Sequence, residues 1–107
     1  MTDPRRDLLL QLLSEIEAEL RELGVWSTQA PAQQAFMSTT PFFADRMAFE
    51  QWLQWVMVAR FRALIEGDLP LPETCQIAPM AEQALSHLPH DVSQLISLLA
   101  SFDAQFN

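Results

Sequence analysis

The stretch from Pro41 to Gly67 constrains this chain more than any other. It carries two of the three tryptophans and four of the seven phenylalanines. Its middle reads Phe49-Glu50-Gln51-Trp52-Leu53-Gln54-Trp55-Val56-Met57-Val58-Ala59-Arg60-Phe61, apolar nearly all the way round a helix. A helix of that kind must be buried against several partners. The spacing predicts a helix from about 46 to 66, capped by Asp45 and stopped at Gly67. At ~100° per residue, Phe49, Trp52, Leu53, Val56, Ala59, Ala63 and Leu64 share one broad side. Trp55, Val58, Phe61 and Ile65 fall on the other, interrupted by Gln51, Gln54 and Arg62; that side is either a second packing face inside the bundle or an exposed patch that seeks a partner.

The flanking segments supply the partners. Asp3 and Pro4 open a first helix, from about 4 to 23, as a capping carboxylate followed by proline. Leu9, Leu13, Ile16, Leu20 and Leu23 recur at spacings of four and three, which makes an apolar seam. Gly24 ends that helix. Val25 to Thr40 is irregular, with a short helix from Pro31 through Phe36. Its aromatics are too many for a free linker, so it should lie over the core. Leu69-Pro70-Leu71-Pro72 cannot continue a helix, because proline lacks the amide donor and restricts its predecessor. Pro79 opens a helix running to about His87, and Asp91 caps a last one bearing Val92, Leu95, Leu99, Phe102 and Phe106. The expected fold is all-α: one compact four-helix bundle over residues 1–107, with a short extra helix or irregular loop between helices one and two.

Charge narrows the function. The net charge is −8, and all six basic residues are arginines. Such a chain lacks the electrostatic footprint for phosphate backbones, so no direct nucleic-acid partner is expected. Anionic membrane surfaces are disfavoured for the same reason. No apolar run reaches the length of a membrane span, and the first residues do not form a signal peptide. A cytoplasmic protein is expected. The single cysteine, Cys75, excludes an internal disulfide and gives no metal spacing. With no histidine close in sequence it reads as a spectator thiol. His87 and His90 are separated by Pro89 and do not share a helical face, so no metal site is expected. Two glycines in 107 residues leave no phosphate-cradling loop. Neither a cofactor nor a catalytic residue is indicated.

Two groups of residues stand out. Arg60 falls between Val56, Leu53, Ala63 and Leu64, where a guanidinium must be paired. Glu17 or Asp103, or loop carbonyls, are the expected partners, since Asp45 lies too far along the same axis. A pocket between the long helix and the 25–41 loop, with Arg60, Asp45 and Phe42 as contacts, would suit a small anion. The second group is the surplus apolar face of Trp55, Val58 and Phe61, edged by Arg62. Such surface usually marks an interface. Trp52 is expected to be buried and Trp55 more exposed. The favoured role is a non-enzymatic interaction module, binding a protein partner or forming a homo-oligomer. A small-molecule binder or an enzyme of unrecognised type is the alternative.

Several blocks occur together: Leu23-Gly24-Val25-Trp26, Pro41-Phe42, the Phe49-Glu50-Gln51-Trp52-Leu53-Gln54 run, Leu69-Pro70-Leu71-Pro72, Ile77-Ala78-Pro79-Met80 and Leu98-Leu99 with Phe102-Asp103. In this order the chain resembles the YqcC-like family of small bacterial proteins over nearly its whole length. The resemblance implies an all-helical fold and no assigned activity. It also implies an association with tRNA modification, through genes that neighbour a tRNA pseudouridine synthase.

Overall fold

A computed structural model of the chain describes residues 4–106, with Pro41 as backbone alone. Four helices and no strand are found among the described residues, joined by turns and two short 3-10 segments. Helix α1 spans Pro4–Glu22, and its leucine seam is buried: Leu9, Leu13, Ile16 and Leu20 have no exposed surface. Asp3 lies outside the described residues. Gly24 closes α1 with φ 76°. The Val25 N–H donates to the Leu20 carbonyl at 3.1 Å and the Gly24 N–H to Arg21 at 3.0 Å. That is the paired closure of a helix ending in a left-handed residue.

Helix α2 covers residues 49–66 in three parts: Phe49–Trp52, a wide π turn at Leu53–Val58, and Ala59–Glu66. Its start differs from the sequence expectation. Ala48 is the N-cap, and the Gln51 side-chain carbonyl accepts its N–H at 2.9 Å. Asp45 instead accepts the Ser38 hydroxyl at 2.5 Å, holding the preceding turn. At the other end Asp68, with φ 53°, occupies the left-handed position in place of Gly67. Arg6 binds this exit, donating to the Leu69 carbonyl at 2.7 Å. A cation there complements the helix dipole.

The π turn corrects the helical wheel. It takes an extra residue into one turn, which rotates everything downstream by roughly 100°. After it, Val58, Phe61 and Ile65 face the core, at 1%, 9% and 7% exposure. Ala59, Arg60 and Ala63 are exposed. Phe61 meets the Phe102 ring edge-on with centroids 4.9 Å apart, and Phe106 completes the trio.

Helix α3 is Ala78–Ala84, shorter than expected, and α4 is Ser93–Ala104. Asp91 organises the entry to α4 by accepting both the N–H and the hydroxyl of Ser93, at 2.9 and 2.6 Å. The main core joins α1, α2, α3 and α4, with Leu53, Met57, Leu85, Leu95, Leu99 and Phe102 at its centre. A second small cluster, Ala35, Met47 and Val56, roofed by Phe36 and Phe43, lies on the opposite flank of α2. The irregular 25–48 segment therefore does fold over the long helix. That explains why α2 is apolar all round: it is covered on both sides.

Candidate functional site

An open cleft of about 450 Å³ lies where the end of α1, the 26–28 loop and the π turn meet. That size falls in the range of ~300–1,000 Å³ typical of binding cavities. Its walls come from the sequence in a direct way. Gly24 turns the chain sharply off α1, which brings Trp26 and Ser27 back against α2. Gln54, only 6% exposed, then fastens the loop with both ends of its amide. Its carbonyl accepts the Ser27 N–H at 2.8 Å, and its NH₂ donates to the Ser27 carbonyl at 2.6 Å. A buried glutamine is tolerated because both polar ends are satisfied.

Trp26 and Trp55 supply aromatic wall, and Arg21 and Arg62 the charge. The Arg21 guanidinium lies over the Trp26 ring, 4.8 Å from its centroid. Glu17 holds both arginines: Arg62 at 2.7 Å and Arg21 at 3.0 Å. Burial pushes the Glu17 carboxyl up, but hydrogen bonds from Arg62 and Arg21, and their charges, outweigh it and keep it below the ordinary value. The Trp55 indole N–H is shielded from water and meets no acceptor among the described residues.

The residues expected from the sequence distribute differently. Arg60 is not buried and pairs with neither Glu17 nor Asp103; it lies over the Phe43 ring at 5.7 Å. Glu17 takes Arg62 instead, because the π turn swings residue 62 toward α1. Asp45 stays with Ser38 and lies 3.7 Å from Arg46. The Ser38 hydroxyl is the main reason its carboxyl sits below the ordinary range. Phe42 packs on Trp52 and Phe49, with centroids 4.8 and 5.7 Å away, and edges a separate, smaller cleft with Met80 and His87. Arg60, Asp45 and Phe42 thus do not converge. Of the expected interface, Val58 and Phe61 are core, whereas Trp55 and Arg62 remain at the cleft. Trp52 and Trp55 are both half-buried, so the expected contrast between them is not found. Neither Arg21 nor Trp26 is among the site residues expected from the sequence. The signal available was an arginine one turn from Glu17 and a tryptophan just after a helix-ending glycine.

Asp103 has a different task. Only 6% exposed, it accepts the N–H groups of Ile77 and Ala78 at 2.8 Å each, capping α3 from across the bundle. The Cys75 thiol sits beside it. Burial first, then the hydrogen bond and charge of Asp103, push that thiol far up, so it stays protonated. His87 lies 3.6 Å from Glu50. No group of three metal-ligating side chains occurs among the described residues.

A family model, DUF446, described as "tRNA pseudouridine synthase C", matches residues 8–105. The chain belongs to the DUF446 family. An uncharacterised protein of Haemophilus influenzae is 34% identical over 102 residues, covering 95% of both chains. The uncharacterised protein YqcC of Escherichia coli is 37% identical over 94 residues, covering 88% of this chain and 86% of that one. The solution structure of YqcC aligns over 97% of this chain and 89% of its own, with a TM-score of 0.84 at 35% identity. A protein of Pectobacterium carotovorum named tRNA pseudouridine synthase C is 43% identical over 70 residues. Those residues are 65% of this chain but 19% of that protein. The family's all-α fold is therefore that of the bundle described above, and no helix among the described residues is long and apolar enough to cross a membrane.

Proposed function

We propose that this protein is a non-catalytic helical module that docks on a tRNA pseudouridine synthase C. The observation carrying this reading is the Pectobacterium protein, in which a stretch like this chain fills 19% of a polypeptide bearing the synthase name. Two units joined in one chain there are taken to work as separate, associating chains here. The family description names the same synthase.

The chemistry of this chain supports the accessory role over the enzymatic one. Catalysis requires titratable groups positioned in a cavity. At the cleft the carboxylate of Glu17 is already held by two guanidiniums. Asp103 is closed off as a helix cap, and the Cys75 thiol is held neutral. A net charge of −8 opposes direct contact with tRNA phosphates, so the synthase carries that contact. The reading brings a cytoplasmic location with it, where tRNA is modified.

The test is co-expression of this chain with the tRNA pseudouridine synthase C of the same organism, one of them tagged. Co-elution in a stoichiometric complex and a measurable heat of binding are expected. Separate elution at tens of micromolar, with no heat, would overturn the proposal.

A further inference from the structure

We infer that the Trp26–Trp55 cleft is where the synthase docks, and that it receives an aspartate or glutamate side chain flanked by an apolar residue of that partner. This rests on the synthase reading above and adds the surface and its chemistry.

Charge is the first support. The molecule is strongly acidic and owns six basic groups. Two of them, Arg21 and Arg62, meet at this cleft around a single carboxylate, Glu17. Two positive charges against one negative leave the cleft net positive on an otherwise negative chain. The complementary occupant is an anion.

Hydrogen-bonding capacity points the same way. Gln54 commits both ends of its amide to Ser27, so it offers the occupant little. Each guanidinium has five N–H donors. Arg21 uses its Nε–H on Glu17, and Arg62 uses one Nη on the same carboxylate. The remaining N–H groups of both guanidiniums are committed to no other hydrogen bond among the described residues. The site is therefore rich in donors and poor in acceptors. A carboxylate matches planar guanidiniums through paired bonds.

The walls favour a protein segment. Tryptophan and arginine dominate the energetics of protein interfaces when they form a pocket. The wall is also pre-organised: Arg21 rests on Trp26, and the loop carrying Trp26 is bonded to Gln54. Little side-chain freedom remains to be lost on docking. RNA would also bring negative charge and stacking bases. One net positive charge is a poor match for a phosphate backbone, and Glu15, Glu19 and Glu22 lie on the same helix as Arg21.

The experiment measures Kd by calorimetry between the full chain and the intact synthase at low and high salt. Arg21→Gln and Trp26→Ala should each weaken binding roughly ten-fold, about 1.4 kcal/mol. Arg21 is 58% exposed, so its replacement should leave the melting midpoint near that of the parent and keep the test valid if Trp26→Ala fails to fold. Glu17→Gln keeps an acceptor for the arginines but removes the opposing charge, and should tighten binding several-fold. A merely structural role for Glu17 would not move affinity in that direction. Glu82→Gln, on a remote face, should leave it unchanged. Wild-type binding with Arg21→Gln and Glu17→Gln both at parental affinity would overturn the cleft while leaving the accessory role standing. Loss of tRNA binding in these variants, with synthase binding unchanged, would assign the cleft to RNA and overturn the inference. Absence of any wild-type binding would remove both this inference and the reading on which it rests.

Discussion

Glu17 and Asp103 are both carboxylates drawn partly out of water, and the chain satisfies them with different kinds of partner. Asp103 accepts two backbone N–H groups inside the bundle. Those donors are fixed by helix geometry and have nowhere else to go, so the carboxylate serves stability. Glu17 is held by two side-chain guanidiniums at the rim of a cleft. Arginine retains further donors after one bond is made, so this carboxylate positions groups that can also serve another molecule.

The sharpest test of that contrast removes Asp103. Asp103→Ala leaves the Ile77 and Ala78 N–H groups buried without an acceptor, and should cost ~2–4 kcal/mol. In a chain of this size the thermal midpoint should then fall by about 10 °C or more. A loss below about 1 kcal/mol in denaturant unfolding would erase the distinction between the two carboxylates.

Gln54→Ala comes next, with an expected cost of ~1–2 kcal/mol for its two hydrogen bonds to Ser27. Its more specific effect is local. Exchange of the Ser27 amide should quicken and Trp26 emission should shift red while the main core stays closed. Unchanged exchange at Ser27 would show that the cleft wall does not depend on this clamp.

Cys75 reports on the Asp103 side as pH rises. Its folded pKa is raised, so the neutral thiol contributes stability that is complete below the unfolded value of about 8.5 and is lost as pH climbs toward the folded one. One pH unit above 8.5 the loss should reach about 1 kcal/mol after allowance for solvent screening. Stability independent of pH through that window, or rapid labelling of the folded protein by a thiol reagent, would place the thiol in water.

Glu17→Gln should have the smallest effect on stability, ~0.2–1 kcal/mol, because its pairs lie at the surface, with side chains 22–58% exposed. Its folded pKa is depressed, so its contribution is present above the unfolded value of about 4.3 and disappears as pH falls through the folded one. A parent-minus-variant difference that persists well below that range would mean the carboxylate is not held by charge.

The fold was largely legible in the residues. Four-three spacing in α1, Gly24 as its stop, and the prolines between α2 and α3 follow from local rules that act within a few residues. What escaped was governed by one local irregularity and by distance. The π turn at Leu53–Val58 has no composition of its own, and a uniform 100° wheel cannot show it. Such a wheel puts Arg60 on the core side, where the structure has it exposed, and leaves Val58 and Phe61 on a side that could be core or interface, where the structure makes them core. The Asp103 cap joins residues 25 and 26 apart, and no pattern along the chain announces such a pairing. At the cleft, Trp55 and Arg62 were foreseen because they share α2. Arg21 and Trp26 were not, because only the fold brings them across.

Helix α1 packs most extensively on α4, the last element of the bundle. During synthesis, at ~5–20 residues per second, the interval between the two is on the order of 4–16 s. Through that time Leu9, Leu13, Ile16 and Leu20 have no Leu95, Leu99 or Phe102 to meet, and the nascent chain shows the cell an uncovered leucine stripe. Truncation before α4 would make that interval permanent, so a chain stalled there is a substrate for chaperones and proteases rather than a partly working module.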